Sequence, residues 1–149
     1  MSETVHPVPE GFEARIGPKE LEALRRDAAQ DPEQFWLDQS KRLDWYEQPQ
    51  QAGDWSFDED DFRINWYADG KINLSVNCLD RHLEKHSDRT AIVFEADEPG
   101  RGHRYTYREL YEETCRFANL LKQRGVKRGN RVMIYMPMIP EAAAAMLAC

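Results

Sequence analysis

The sequence predicts an α/β fold built on a mainly parallel sheet, and three observations carry that prediction. Between Arg104 and Pro140, apolar residues first recur with a helical period and then run continuously. Turn signals separate the two patterns. A proline suited to open a further helix follows. Strand, helix, strand and helix in that order fit a parallel sheet with right-handed crossovers.

The helix in this stretch is the best specified element. Thr106 is a good N-cap, and Glu109, three residues on, completes a capping box. Tyr107, Leu110, Tyr111, Thr114, Phe117, Ala118 and Leu121 follow the i, i+3, i+4, i+7 rhythm of one buried face. Arg108, Glu112, Glu113, Arg116, Lys122 and Gln123 fall largely on the opposite side. Gly125 supplies a stop that tolerates a left-handed backbone. After the turn VKRGN, the apolar run Val132-Met133-Ile134-Tyr135-Met136 predicts a strand covered on both faces. Pro137 ends it, because proline cannot donate to a ladder, and Pro140 opens a new helix. That helix, EAAAAMLAC, carries no polar cap or stop residue, which gives the expectation of a domain cut short.

Upstream, residues 1–17 hold Pro7, Pro9, Gly11 and Gly17 without periodicity and are expected to be an extended or disordered leader. A short charged helix is predicted over 18–30, with Leu21 and Leu24 on one side. Asp31-Pro32 restarts a helix as N-cap and first helical residue. That helix is expected to run to Trp45 and to bury Phe35, Trp36 and Leu43, with Trp45 a further candidate. Residues 48–61 read as a polar loop, 62–67 as a short alternating strand, and Ala68-Asp69-Gly70 as a turn. A helix over 73–86 follows, with Leu74, Cys78, Leu79 and Leu83 on its inner face and His82 beside them. Thr90–Glu95 is the first strand of the main sheet, 96–101 a surface loop, and His103–Thr106 a short strand leading into the capped helix.

Ten of the sixteen aromatic residues precede Ala68. A segment so rich in rings and so short of regular apolar runs does not make its own core; it is expected to wrap a larger body and to anchor there ring by ring. A carbohydrate or base-stacking surface is the competing reading, and the acidity of the region argues against it.

Composition narrows the class. A length of 149 residues suits one domain. A net charge of −7 with 32% charged residues argues against a general nucleic-acid or anionic-membrane binder. No apolar run approaches a membrane span, and the first residues lack the charged start and apolar centre of a secretory signal. Three cysteines, Cys78, Cys115 and Cys149, are too few and too scattered for a disulfide framework, so a reducing, cytoplasmic setting is expected.

Three patterns could carry chemistry. Asp58, Glu59, Asp60 and Asp61 are contiguous, whereas a calcium loop needs alternating oxygen ligands around a glycine; a solvated loop is the expectation. Cys78, His82 and His86 are spaced i, i+4, i+8, but they span two helical turns, about 12 Å, too long for one zinc ion. Lys127-Arg128-Gly129-Asn130 lacks the context of a phosphate loop. No Ser-His-Asp set, carboxylate pair or lysine nucleophile stands out by spacing.

Several runs are specific in combination: Asn77-Cys78-Leu79-Asp80-Arg81-His82, Thr106-Tyr107-Arg108-Glu109-Leu110, Cys115-Arg116-Phe117-Ala118-Asn119, and Tyr135-Met136-Pro137-Met138-Ile139-Pro140-Glu141. From Phe35 to Cys149 the chain resembles the N-terminal part of the acetyl-coenzyme A synthetase family, AMP-forming acetate–CoA ligases of the adenylate-forming superfamily. The resemblance implies the beginning of a large N-terminal domain: a leader with a short helix over 1–34, partly disordered; a helical, aromatic-rich wrapping segment over 35–89; and the first β-α-β-α of an AMP-binding domain over 90–149, incomplete. It implies an enzyme that joins acetate to CoA through an acetyl-adenylate, with release of AMP and pyrophosphate. ATP, Mg²⁺ and CoA are its cofactors and co-substrates, and small molecules, rather than nucleic acid or membrane, are its partners. The family's phosphate loop, acyl pocket, hinge carboxylates and C-terminal lysine match nothing here. No catalytic, cofactor-binding or metal residue is therefore carried over, tight binding of these ligands is not expected, and the chain alone is expected to be inactive scaffold. A propionate–CoA ligase of the same family and a non-catalytic interaction module are the alternatives.

Overall fold

The computed structural model describes residues 11, 12 and 14–149. Most of the leader expectation lies outside that range. Two compact units result: one comprises the residues up to Arg42 together with Glu47–Gly70, and the other Leu43–Tyr46 with Lys71–Cys149.

In the first unit, Pro18 opens helix α1 (Pro18–Gln30), none of whose residues is buried. Helix α2 (Pro32–Ser40) starts as the sequence requires, with the Asp31 carboxylate accepting the Gln34 N–H at 3.0 Å. It stops five residues before the expected end at Trp45. The buried Ser40 hydroxyl donates to the Leu37 carbonyl at 2.7 Å, and the amides of Lys41 and Arg42 turn back onto Asp38 and Gln39. Trp36, expected in a core, stays 42% exposed.

Strands β2 (Gly53–Ser56) and β3 (Arg63–Trp66) form an antiparallel hairpin that pairs Gly53 with Trp66 and Ser56 with Arg63. Trp55 and Trp66 lie 5.2 Å apart at a 30° tilt, and Trp36 meets Trp66 edge-on at 6.3 Å. Gly53 is required by this packing, since a Cβ there would sit 2.5 Å from the Trp55 ring. The expected Asp-Gly turn closes with the Gly70 N–H on the Tyr67 carbonyl at 2.9 Å.

In the second unit, β1 (Trp45–Glu47) pairs with β4 (Lys71–Ile72). The helix expected over 73–86 is broken by a π-helical turn, Val76–Asp80, ahead of α3 (Arg81–His86). The wider turn rotates the face read from the sequence. Leu79 is 1% exposed, whereas Leu74 and Cys78, expected inside, are exposed. Asn77 is buried instead, and its amide clasps the peptide of Asp44 from both sides. Its Oδ1 accepts the Asp44 N–H at 2.8 Å, and its Nδ2 donates to the Asp44 carbonyl at 2.9 Å. Arg81 donates to the same Oδ1 at 2.8 Å and approaches the Asp44 carboxylate at 3.5 Å. Leu43, also expected in the core, remains 40% exposed.

Strands β5 (Thr90–Phe94) and β6 (His103–Thr106) pair antiparallel with an irregularity at Ala91. Helix α4 (Tyr107–Gln123) opens with the complete capping box of Thr106 and Glu109. At its other end Gly125 takes φ +80°, and the Val126 and Gly125 amides reach the carbonyls of Leu121 and Lys122, both at 3.0 Å. This is a Schellman closure. Helix α5 (Pro140–Ala148) packs on α4, and Leu79, Leu110 and Ala144 form the core, flanked by Ala91, Ile92, Tyr107, Tyr111 and Leu147.

The parallel sheet is where the sequence reading fails. β5 and β6 make a sheet of two, joined by a short loop that imposes antiparallel pairing. Among the described residues, 132–136 belong to no strand and pair with none. Met133 and Tyr135, expected under a covering layer, are 91% and 98% exposed.

Asn77→Ala strips the side-chain partners from the part-buried N–H and C=O of Asp44 and is expected to lower stability by about 1–2 kcal/mol, measured by urea unfolding. Thr114 is 5% exposed, and its hydroxyl has no hydrogen-bond partner. Thr114→Val keeps the shape and removes the unpaired oxygen, so stability should stay level or rise by up to about 1 kcal/mol; a loss of that size would mean the hydroxyl is satisfied in solution.

Candidate functional site

The acidic run lies on the β2–β3 hairpin and is tied to a cation. Arg63 grips Asp54 with two parallel hydrogen bonds, Nε to Oδ2 and Nη2 to Oδ1, both 2.9 Å, and also contacts Asp61. The guanidinium holds the Asp54 carboxyl below its ordinary range. The Asp61 N–H closes a turn onto the Asp58 carbonyl at 3.1 Å. The run is thus a solvated turn beside a surface ion pair.

Cys78, His82 and His86 are not brought together. Cys78 is exposed on the π-turn, while His82 and His86 are adjacent rings 6.3 Å apart, with His82 lying 5.5 Å from Tyr107. Among the described residues, no group of three or more His, Cys, Asp or Glu could hold a metal ion. A pairing the sequence did not signal is that of Tyr111 with Cys115: a hydrogen bond to the thiol is the first cause raising the phenol's pKa, and the negative charge of Asp80 adds to it.

The turn at 127–130 is closed on itself. The Lys127 N–H reaches Asn130 Oδ1 at 2.8 Å, and the Asn130 N–H reaches the Lys127 carbonyl at 3.0 Å. Those amides are occupied and do not form a phosphate cradle. The turn borders an open cleft of about 550 Å³ whose walls include Leu121, Val126, Val132, Ile134 and Met146, with Lys122, Lys127 and Arg128 also lining it. The cleft is apolar within and basic in charge.

The buried polar groups serve the backbone. Asn77 holds the peptide of Asp44, and Ser40 holds the Leu37 carbonyl while accepting from Gln48 Nε2 at 2.8 Å. Among the described residues no hydrogen bond joins a histidine to a serine, threonine or cysteine. The clasp of Asn77 went unread in the sequence; the available signal was an asparagine amid the apolar residues of VNCL, a position that demands partners. Among the described residues these buried polar side chains position the chain's own backbone.

Comparison with known proteins supplies the class. Residues 79–149 match the family model described as AMP-binding enzyme, and residues 21–78 match the one described as acetyl-coenzyme A synthetase N-terminus. The two abut and together take in 21–149. The chain is 48% identical over its whole length to the acetyl-coenzyme A synthetase of Parvibaculum lavamentivorans, and 50% identical over 97% of its length to that of Xanthomonas axonopodis pv. citri. It is 48% identical over its whole length to that of Novosphingobium aromaticivorans. In each case the chain spans 23% of the relative's length. The first class defined is thus that of AMP-binding enzymes. Within it, the chain belongs to the acetyl-coenzyme A synthetase family. No helix among the described residues is long and apolar enough to cross a membrane.

The α4 cap generates a pH-dependent expectation. The Glu109 carboxylate accepts the Thr106 N–H at 2.8 Å and the Thr106 hydroxyl at 2.9 Å, which hold its pKa below the ordinary 4.5. A depressed carboxylate contributes stability that is complete above its ordinary pKa and is lost as pH falls through the folded value. Glu109→Gln should therefore flatten the fall of stability below about pH 4.5. Parallel unfolding curves for the two proteins across that range would refute this assignment.

Proposed function

We propose that this chain is scaffold from the front of an AMP-forming acetate–CoA ligase. Identity near 50% along the whole chain, to proteins named acetyl-coenzyme A synthetase, carries the reading. On this reading 35–89 is the wrapping segment, 90–149 begins the AMP-binding domain, and residues 1–34 lead into them in a cytoplasmic enzyme. The whole protein activates acetate with ATP to an acetyl-adenylate and pyrophosphate, and the thiol of CoA then displaces AMP. The relatives' shared name favours acetate over propionate, and it favours a ligase over a free-standing module.

The donor set described above does not suit the ligands of that reaction. Mg²⁺ needs convergent carboxylates, and triphosphate needs free backbone amides with a lysine. Among the described residues no group of carboxylates converges to hold a metal ion, and the amides of Lys127 and Asn130 are occupied within their own turn. No step is assigned to this chain's residues. Their role is to hold elements on which a site can be built: the capped α4, its packing against α5, and the Asn77 clasp.

The test is acetate- and Mg·ATP-dependent pyrophosphate release. The 149-residue chain is expected to give no more than the protein-free blank, and the same residues within a polypeptide of the relatives' full length are expected to turn over. Release by the short chain alone would overturn the scaffold reading. Inactivity of the long polypeptide with acetate, alongside activity with propionate, would overturn the substrate.

A further inference from the structure

The side chain of Asn77, which is 7% exposed, uses every hydrogen-bonding position it has. Its Oδ1 accepts the Asp44 N–H and an Arg81 Nη1 proton, both at 2.8 Å. Its Nδ2 donates to the carbonyls of Asp44 at 2.9 Å and Asn73 at 3.0 Å. Two acceptances and two donations saturate a primary amide. Arg81 returns to Asp44 through the carboxylate, Nε to Oδ2 at 3.5 Å, and closes a ring of contacts. A buried amide satisfied in full holds its partners in one arrangement. What it holds here is backbone: Asn77 reads the peptide of Asp44, which any residue but proline presents in the same form.

The segment so held is Leu43–Tyr46. It belongs to the second unit, while the chain on both sides of it, up to Arg42 and from Glu47, belongs to the first. Its side chains are thinly buried: Leu43 is 40% exposed and Tyr46 71%. Beyond Asp44 it continues into β1, whose partner β4 has only two residues. The other side of the π-turn is different, since Leu79 sits 1% exposed in the core with Leu110 and Ala144. A thinly buried segment tied by polar contacts to a well-buried turn is suited to open locally, before the whole unit unfolds. We propose that Leu43–Tyr46 is a strap that opens as a cooperative unit of its own, with Asn77 as its latch. Opening breaks the two Asp44–Asn77 hydrogen bonds and the Asp44–Arg81 pair, admits water to the Asn77 amide, and leaves the Leu79 core in place. Strap, latch and core all lie in the second unit, so the device requires no residue outside this chain. It does not rest on the ligase reading.

The experiment is native-state hydrogen exchange on the 149-residue chain, with urea raised in steps below the unfolding transition. A local opening exposes little surface and global unfolding exposes much. The Asp44 amide is therefore expected to exchange at a rate nearly independent of urea, whereas amides in the middle of α4 should be better protected and should accelerate steeply with urea. Asn77→Ala is expected to speed Asp44 exchange about tenfold, with the urea dependence still flat. Asp44→Asn keeps the clasped peptide and loses only an exposed ion pair, so it should change that rate by less than about threefold. Asn77→Asp keeps the acceptor and loses the donor to the Asp44 carbonyl, and its rate should fall between those of the other two variants. An Asp44 amide that shares the urea dependence of α4 in the unaltered chain overturns the strap. An Asp44 rate unmoved by both Asn77 variants overturns the latch. So does an Asp44→Asn rate as fast as that of Asn77→Ala, which would assign the hold to the ion pair.

Discussion

The second unit depends on burial of Leu79 between the π-turn and the α4–α5 pair. The small side chains of Ala144 and Ala145, both buried, let α5 lie close on α4, and Leu110 closes the contact. Two positions before Leu79, Asn77 serves the other side of the same turn, where it holds the Asp44 peptide. One turn of helix is thus committed on opposite sides, to an apolar core and to a polar clasp. A plain amphipathic helix has one buried stripe. A π-turn is a local solution to two demands at neighbouring positions.

The core so formed is thin. Among the described residues five apolar side chains are buried, two of them, Ala52 and Ala145, outside the Leu79 cluster, and three of them on α4 or α5, whereas Phe57, Phe62, Trp66, Met133, Tyr135 and Met138 are all more than half exposed. Single exposed apolar residues are ordinary, but contiguous ones mark a surface that something covers. The chain spans 23% of its relatives' length and displays these rings and methionines at its surface.

What could be read from the sequence was local chemistry. Thr106 and Glu109 announced a capping box, Gly125 a left-handed stop, and Asp31-Pro32 a capped start, and each is found with its hydrogen bonds in place. These signals act within a few residues, so their meaning does not depend on the rest of the fold. The parallel sheet was not recoverable in the same way. The apolar run 132–136 was read as a covered strand, but a strand exists through its neighbours, and none among the described residues pairs with it. The inner face of 73–86 was misread because the period assumed was 3.6, while residues 76–80 take a wider π-turn. For the site, the three candidate motifs were weighed on spacing and sequence context, which carry no information on what other parts of a fold bring beside them.

The electrostatics bear on the same division between scaffold and chemistry. Catalytic groups are marked by shifts that arise from desolvation together with a partner in a cleft. In this chain the lowered carboxyls are Asp38 beside Lys41, Asp54 beside Arg63 and Glu109 in its cap, all at the surface and all caused first by a hydrogen bond to a local partner. Tyr105 is raised by burial and then by Glu141, Glu113 and Glu109, an environment of like sign that disfavours the phenolate. A phenol kept protonated by three carboxylates is a poor base, and carboxylates stabilised by caps and ion pairs are poor acids near neutrality. Among the described residues, the carboxylates whose shifts are resolved are those that cap a helix or pair with a local cation.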